Sequence, residues 1–125
     1  MIVLKDSSVD YSGLDPLMYF ALGVAAALKR QMFGKDCVVT SLLDGTHNPG
    51  SLHPKGRAAD LRTIDLTNDE RVLWFTALGK ALYPFGFDIV WEGCPSATPK
   101  TTWAHIHIEY DPKGRQFWSV LPPQQ

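Results

Sequence analysis

Residues 57–75 read RAADLRTIDLTNDERVLWF, and the change of pattern inside this stretch decides the fold class. Arg57 to Ile64 can form a short strand. Thr67 and Glu70 then have the spacing of a capping box, ahead of the apolar run Val72, Leu73, Trp74 and Phe75. A helix therefore begins at Thr67, runs to about Tyr83 and ends before Pro84. Working upstream, Asp44 to Ser51 holds Asp-Gly, Asn-Pro and a further glycine and reads as a loop. Cys37 to Leu43 is apolar and β-branched and reads as a strand. Before it, Asp15 followed by Pro16 has the form of an N-cap and first helical position. Lys29 and Arg30 suit the last turn of that helix and Gly34 its stop, giving a helix over Pro16 to Phe33. Downstream, Phe87 to Glu92 reads as a third strand, Gly93 to Thr102 as a loop, and Trp103 to Tyr110 as a fourth strand. Phe117 and Trp118 of the irregular tail are expected to pack back. The order α-β-β-α-β-β fits a single α+β domain over residues 1–125, with helices packed on one side of a mainly antiparallel sheet.

Bulk composition narrows the function. A chain of 125 residues, 45% hydrophobic and 20% charged, can bury one real core. A formal charge of −1 speaks against a nucleic-acid binder, which carries a basic excess. Cys37 and Cys94 do not form a Cys-x-x-Cys pair or a disulfide framework and read as free thiols in a reducing compartment. The apolar run Leu17 to Leu28 is shorter than the ~20 residues of a spanning helix. Asp6, Asp10 and Asp15 before it have the wrong sign for a signal peptide. The expectation is a buried helix in a soluble, cytoplasmic protein without a membrane span, released to the cell wall, if at all, by a separate route.

The four histidines, His47, His53, His105 and His107, fall in two short segments next to acidic residues. Zinc takes nitrogen, sulfur or carboxylate donors at ~2.0–2.3 Å, and a catalytic site uses three of them and leaves one position for water. In the segment Ser51 to Asp60, a turn at Gly56 can bring His53 and Asp60 back to one point, and Ala58 and Ala59 leave room beside them. In Trp103 to Glu109, strand alternation sends His105, His107 and Glu109 to one face and Ala104, Ile106 and Ile108 to the core.

These two segments carry a resemblance. Ser51 to Asp60 looks like the Ser-x-His-x-x-Gly-x-Ala-x-Asp motif of the zinc D-Ala-D-Ala carboxypeptidase family, which includes phage endolysins and shares its fold with the Hedgehog signalling domain. Ser-Leu-His-x-x-Gly-Arg-Ala-x-Asp and Ala104 to His107 resemble Hedgehog more closely still, as does Gly-Phe-Asp before Ile89. The resemblance covers roughly Val38 to Glu109. It implies zinc held by His53, Asp60 and His107. It further implies Glu92 as the base that handles the proton of the attacking water, with Glu109 in reserve, and His105 and His47 as pocket histidines that stabilise the oxyanion. If His105 is the ligand instead, His107 takes the second-sphere place. The implied activity is hydrolysis of peptide bonds in peptidoglycan stem peptides, by a carboxypeptidase or an endopeptidase of phage or prophage origin. The implied alternative is a zinc-stabilised binding module without turnover.

Two departures from the family pattern are visible. The acid expected three residues before the third ligand is replaced by Ala104, and fourteen residues separate Glu92 from His107. The arginine that many members carry after the strand matching Val38 to Leu43 is missing, since Leu43-Asp44-Gly45 stands there. This departure speaks against strict D-Ala-D-Ala carboxypeptidase activity and favours either endopeptidase cleavage or an anion contact from elsewhere, such as His47 or Arg57.

Overall fold

The computed structural model describes residues 1–42, 56–92 and 105–112, with only the backbone of Glu92. His47, His53, Cys94, the loop over 93–102 and the tail with Phe117 and Trp118 lie outside these residues. The elements run β1 (Ile2–Leu4), α1 (Pro16–Phe33), β2 (Cys37–Ser41), β3 (Ala58–Arg62), α2 (Asn68–Leu82), a 3₁₀ turn (Tyr83–Phe85), β4 (Phe87–Glu92) and β5 (His105–Tyr110).

Both helices form where their end signals stand. Asp15 Oδ1 accepts the backbone N–H of Leu17 at 2.9 Å, and Pro16 opens α1. Gly34 closes it at φ 69°, its N–H donating to Arg30 O at 2.8 Å. In α2, Thr67 accepts from the Glu70 amide at 3.2 Å, and Glu70 Oε1 accepts from the Thr67 amide at 2.9 Å, completing the capping box. The buried face of α1 is Met18, Ala21, Leu22, Ala25, Ala26 and Lys29, a 3–4 residue spacing that continues through the lysine.

That lysine lies just before the last turn, where only Arg30 of the two basic residues stands. Its side chain is fully buried. Its Nζ lies 2.8 Å from Asp65 Oδ2 and 5.0 Å from the centre of the Trp74 ring. A buried ammonium needs such partners because desolvation costs several kcal/mol. Trp74 Nε1 donates to Ala25 O at 3.3 Å, so one tryptophan ties α2 to α1.

The strands form one sheet in the order β1-β2-β3-β5-β4 among the described residues. β1 runs parallel to β2, and the other neighbours are antiparallel. β1 is absent from the sequence reading, because three residues are too short to show a period. Val39, Ala59, Leu61, Phe87, Ile89, Trp91, Ile106 and Ile108 line one face of the sheet and pack with the helices in one core. The opposite face carries Asp60, Arg62, Asp88, His105, His107 and Glu109, as the register dictates.

Cys37 sits at the start of β2 inside the core, and burial pushes its thiol up to about 12. Because the thiolate is the reactive form, this cysteine should resist alkylation at pH 8 in the folded protein. It should react within minutes in denaturant, as counted by peptide mass spectrometry.

Candidate metal centre

β3 and β5 build the centre. Asp60 and His107 are directly opposed in the antiparallel ladder, as are Ala58 and Glu109, and Arg62 and His105. Opposed side chains stand on the same face with Cβ atoms ~4.5–5.5 Å apart, so three rungs bring two histidines and two carboxylates together. The strand before them is aimed by Gly56. Its φ of 71° suits glycine, and a Cβ there would lie 2.4 Å from Gly13 O. Its carbonyl accepts the Asp15 N–H at 2.8 Å, which fixes the start of β3 against the N-terminus of α1.

His107 Nδ1 lies 2.9 Å from Asp60 Oδ1, and His107 Nε2 lies 2.6 Å from Glu109 Oε1. His105 Nε2 lies 3.5 Å from the same Asp60 oxygen. Asp60 and His107 are each only 9% exposed. His107 is thus a buried ring between two carboxylates, which differs from the half-exposed polar strand face that alternation alone describes.

This arrangement tests whether zinc fits. Two carboxylates on one imidazole require a proton on each ring nitrogen, or a cation in place of one proton. Two donors in a tetrahedral zinc shell stand about 3.3 Å apart, given metal–ligand distances of ~2.0–2.1 Å. At 2.9 Å the Asp60–His107 pair is hydrogen-bonded and a few tenths of an ångström closer than that spacing, while the 3.5 Å separation is to His105, which is not one of the expected ligands. Glu109 on the far nitrogen gives His107 the outer carboxylate that zinc-binding histidines regularly have. Asp60 and His107 are donors of the kinds zinc takes, and His53, the third expected donor, lies outside the described residues.

The register also places Glu92 opposite His105, Val90 opposite His107 and Asp88 opposite Glu109. The backbone position of Glu92 is therefore one rung from Asp60 and His107, although fourteen residues intervene in the sequence.

Two features of this face are absent from the sequence reading. Asp88, Glu109 and Asp111 bring one carboxylate oxygen each within 4.8 Å of one another. An all-oxygen set suits a hard cation rather than zinc, and it lies on the Glu109 side of the histidine cluster. Arg62 shares the face of Asp60. Arg57, weighed above as an anion contact, is instead committed elsewhere. Its Nε is 3.5 Å from Asp15 Oδ2, and its guanidinium lies 6.0 Å from the Tyr110 ring centre. Only the strand pairing reveals these two, because Asp88 and Glu109 are twenty-one residues apart in the chain.

No protein-family model matches the chain, and a search of the curated proteins likewise finds no match. Among the described residues no helix is long and apolar enough to cross a membrane.

Proposed function

We propose that the chain is a zinc-dependent peptidase that hydrolyses peptide bonds in peptidoglycan stem peptides. The observation that carries this reading is the buried Asp60–His107 pair, in contact at 2.9 Å with Glu109 behind the ring. The motif resemblance over Ser51 to Asp60 and Ala104 to His107 supports it independently. On this reading the two helices and the sheet are the fold shared by D-Ala-D-Ala carboxypeptidases and the Hedgehog domain. A phage or prophage lysis enzyme is the context that suits it.

His53, Asp60 and His107 would hold the zinc. When bound, the ion supplies Lewis acidity and makes water a nucleophile near neutral pH. Glu92 takes the proton from the attacking water and returns it to the leaving amine. Glu109 holds His107 by its outer nitrogen and fixes the ring's orientation. His105, beside Asp60, and His47 donate to the developing oxyanion.

The test is incubation of zinc-loaded protein with defined muropeptides and identification of products by mass spectrometry. Hydrolysis that stops with a chelator and returns with zinc is expected. Stoichiometric zinc with no cleavage of any stem peptide would instead favour a zinc-stabilised binding module.

A further inference from the structure

The way β3 is bonded on its two sides explains why Asp60 and His107 touch. Where β3 begins to pair with β5, the Tyr110 N–H donates to Arg57 O at 2.8 Å. Hydrogen-bonded and non-hydrogen-bonded pairs alternate along an antiparallel ladder. Counted from that bond, Asp60–His107 is a non-hydrogen-bonded pair, the kind whose side chains approach more closely. The N–H and C=O of Asp60 therefore turn away from β5 and towards β2.

On the β2 side the ladder is irregular. Val39 pairs with Leu61 but Ser41 pairs with Asp60, so two steps along β2 match one along β3, and Thr40 is the extra residue of a bulge. Thr40 is half-buried, and its Oγ1 donates to Asp60 O at 3.3 Å. A side-chain hydroxyl thus holds the peptide of the residue whose carboxylate stands 2.9 Å from His107 Nδ1. A bulge loosens the ladder where it sits, whereas a metal ligand has to be held within ~0.5 Å of its working position. The Thr40 hydroxyl supplies a restraint at the place where the ladder gives least.

We propose that Thr40 is a positioning residue, whose hydroxyl, carried on the β2 bulge, fixes the Asp60 peptide so that the carboxylate meets His107 and is set for a metal ion. Its consequence for zinc rests on the peptidase reading above; its consequence for the Asp60–His107 contact does not.

The experiment compares wild type with Thr40→Val, which keeps the β-branched shape and removes the hydroxyl, and with Thr40→Ser, which keeps the hydroxyl. Zinc affinity is read by chelator competition, ligand geometry by the visible spectrum of the cobalt(II)-substituted protein, and the Asp60–His107 contact by long-range proton–nitrogen NMR of the His107 ring in metal-free protein. All are recorded well below the melting transition, so that every variant is folded. Thr40→Val should bind zinc about 10-fold more weakly, the low end of what groups that orient a metal ligand contribute. Its cobalt bands should change in position and intensity, and its His107 Nδ1 resonance should move as the contact with Asp60 loosens. Thr40→Ser should match wild type in all three. A hydroxyl that serves stability alone would lower the melting temperature of Thr40→Val and leave the affinity, the cobalt bands and the His107 resonance in place. That result overturns the proposal, as does a Thr40→Ser that behaves like Thr40→Val. If wild type takes up neither zinc nor cobalt, the zinc peptidase reading falls, and the His107 resonance decides the role of Thr40 by the same criterion. If wild type binds zinc but cleaves no muropeptide, the peptidase reading falls and all three readouts still stand, since none requires turnover.

Discussion

His107→Ala should abolish stoichiometric zinc binding, whereas His105→Ala should keep about one zinc per chain, as an open site of three protein donors requires. Both histidines share a face, and both approach Asp60 Oδ1, at 2.9 Å and 3.5 Å. What separates them is the second carboxylate: His107 Nε2 is 2.6 Å from Glu109, which leaves Nδ1 for the metal side. The outer partner adds a graded control, since Glu109→Ala should weaken zinc binding by about 10–100-fold without removing a ligand. Asp60→Ala should match His107→Ala in metal content. It should also leave the ring with one carboxylate. Because zinc binding is coupled to folding, the two ligand variants should melt lower than the zinc-loaded wild type and should not respond to added zinc. Metal analysis after gel filtration, with chelator competition for the affinities, reads all four variants. Retention of zinc by His107→Ala together with its loss in His105→Ala would exchange the two roles.

Local signals were legible where the chemistry is local. The caps at Asp15 and Gly34 and the Thr67–Glu70 box mark helix ends through backbone amides a few residues away, and α1 spans Pro16–Phe33 as read. The alternation of residues 105–109 fixes which side chains share a face, and Ile106 and Ile108 are fully buried opposite the histidines. What the sequence could not show is registry. Whether Asp60 meets His107 or lies one rung away depends on hydrogen bonds between strands forty-seven residues apart. That Lys29 belongs to the buried face is not legible in the sequence, because only the packing of Asp65 and Trp74 around it shows where its ammonium finds partners. The short β1 has no period to read and is stabilised by pairing with β2.

Glu92→Gln should leave zinc content and melting temperature unchanged and reduce muropeptide hydrolysis by roughly 10²–10⁴-fold, the usual contribution of a positioned acid–base group. The substitution keeps the size of the side chain and its capacity to hydrogen-bond, but an amide cannot accept the proton of the attacking water. The rung of Glu92 faces His105, next to the rung on which Asp60 and His107 meet. The distance in sequence from Glu92 to His107, which departs from the spacing in the peptidases that the motif resembles, is spanned by the antiparallel pairing of β4 with β5. Glu109 is the other carboxylate near the pair, but its contact with His107 Nε2 gives it an orienting task. The two carboxylates are therefore told apart by different readouts. Glu92→Gln should lower kcat with zinc affinity intact, and Glu109→Ala should lower zinc affinity, its rate recovering as zinc is raised to saturation. If Glu92→Gln cleaves muropeptides at the wild-type rate while Glu109→Gln is inactive at saturating zinc, the base is Glu109. The β4 strand end would then have no part in the chemistry.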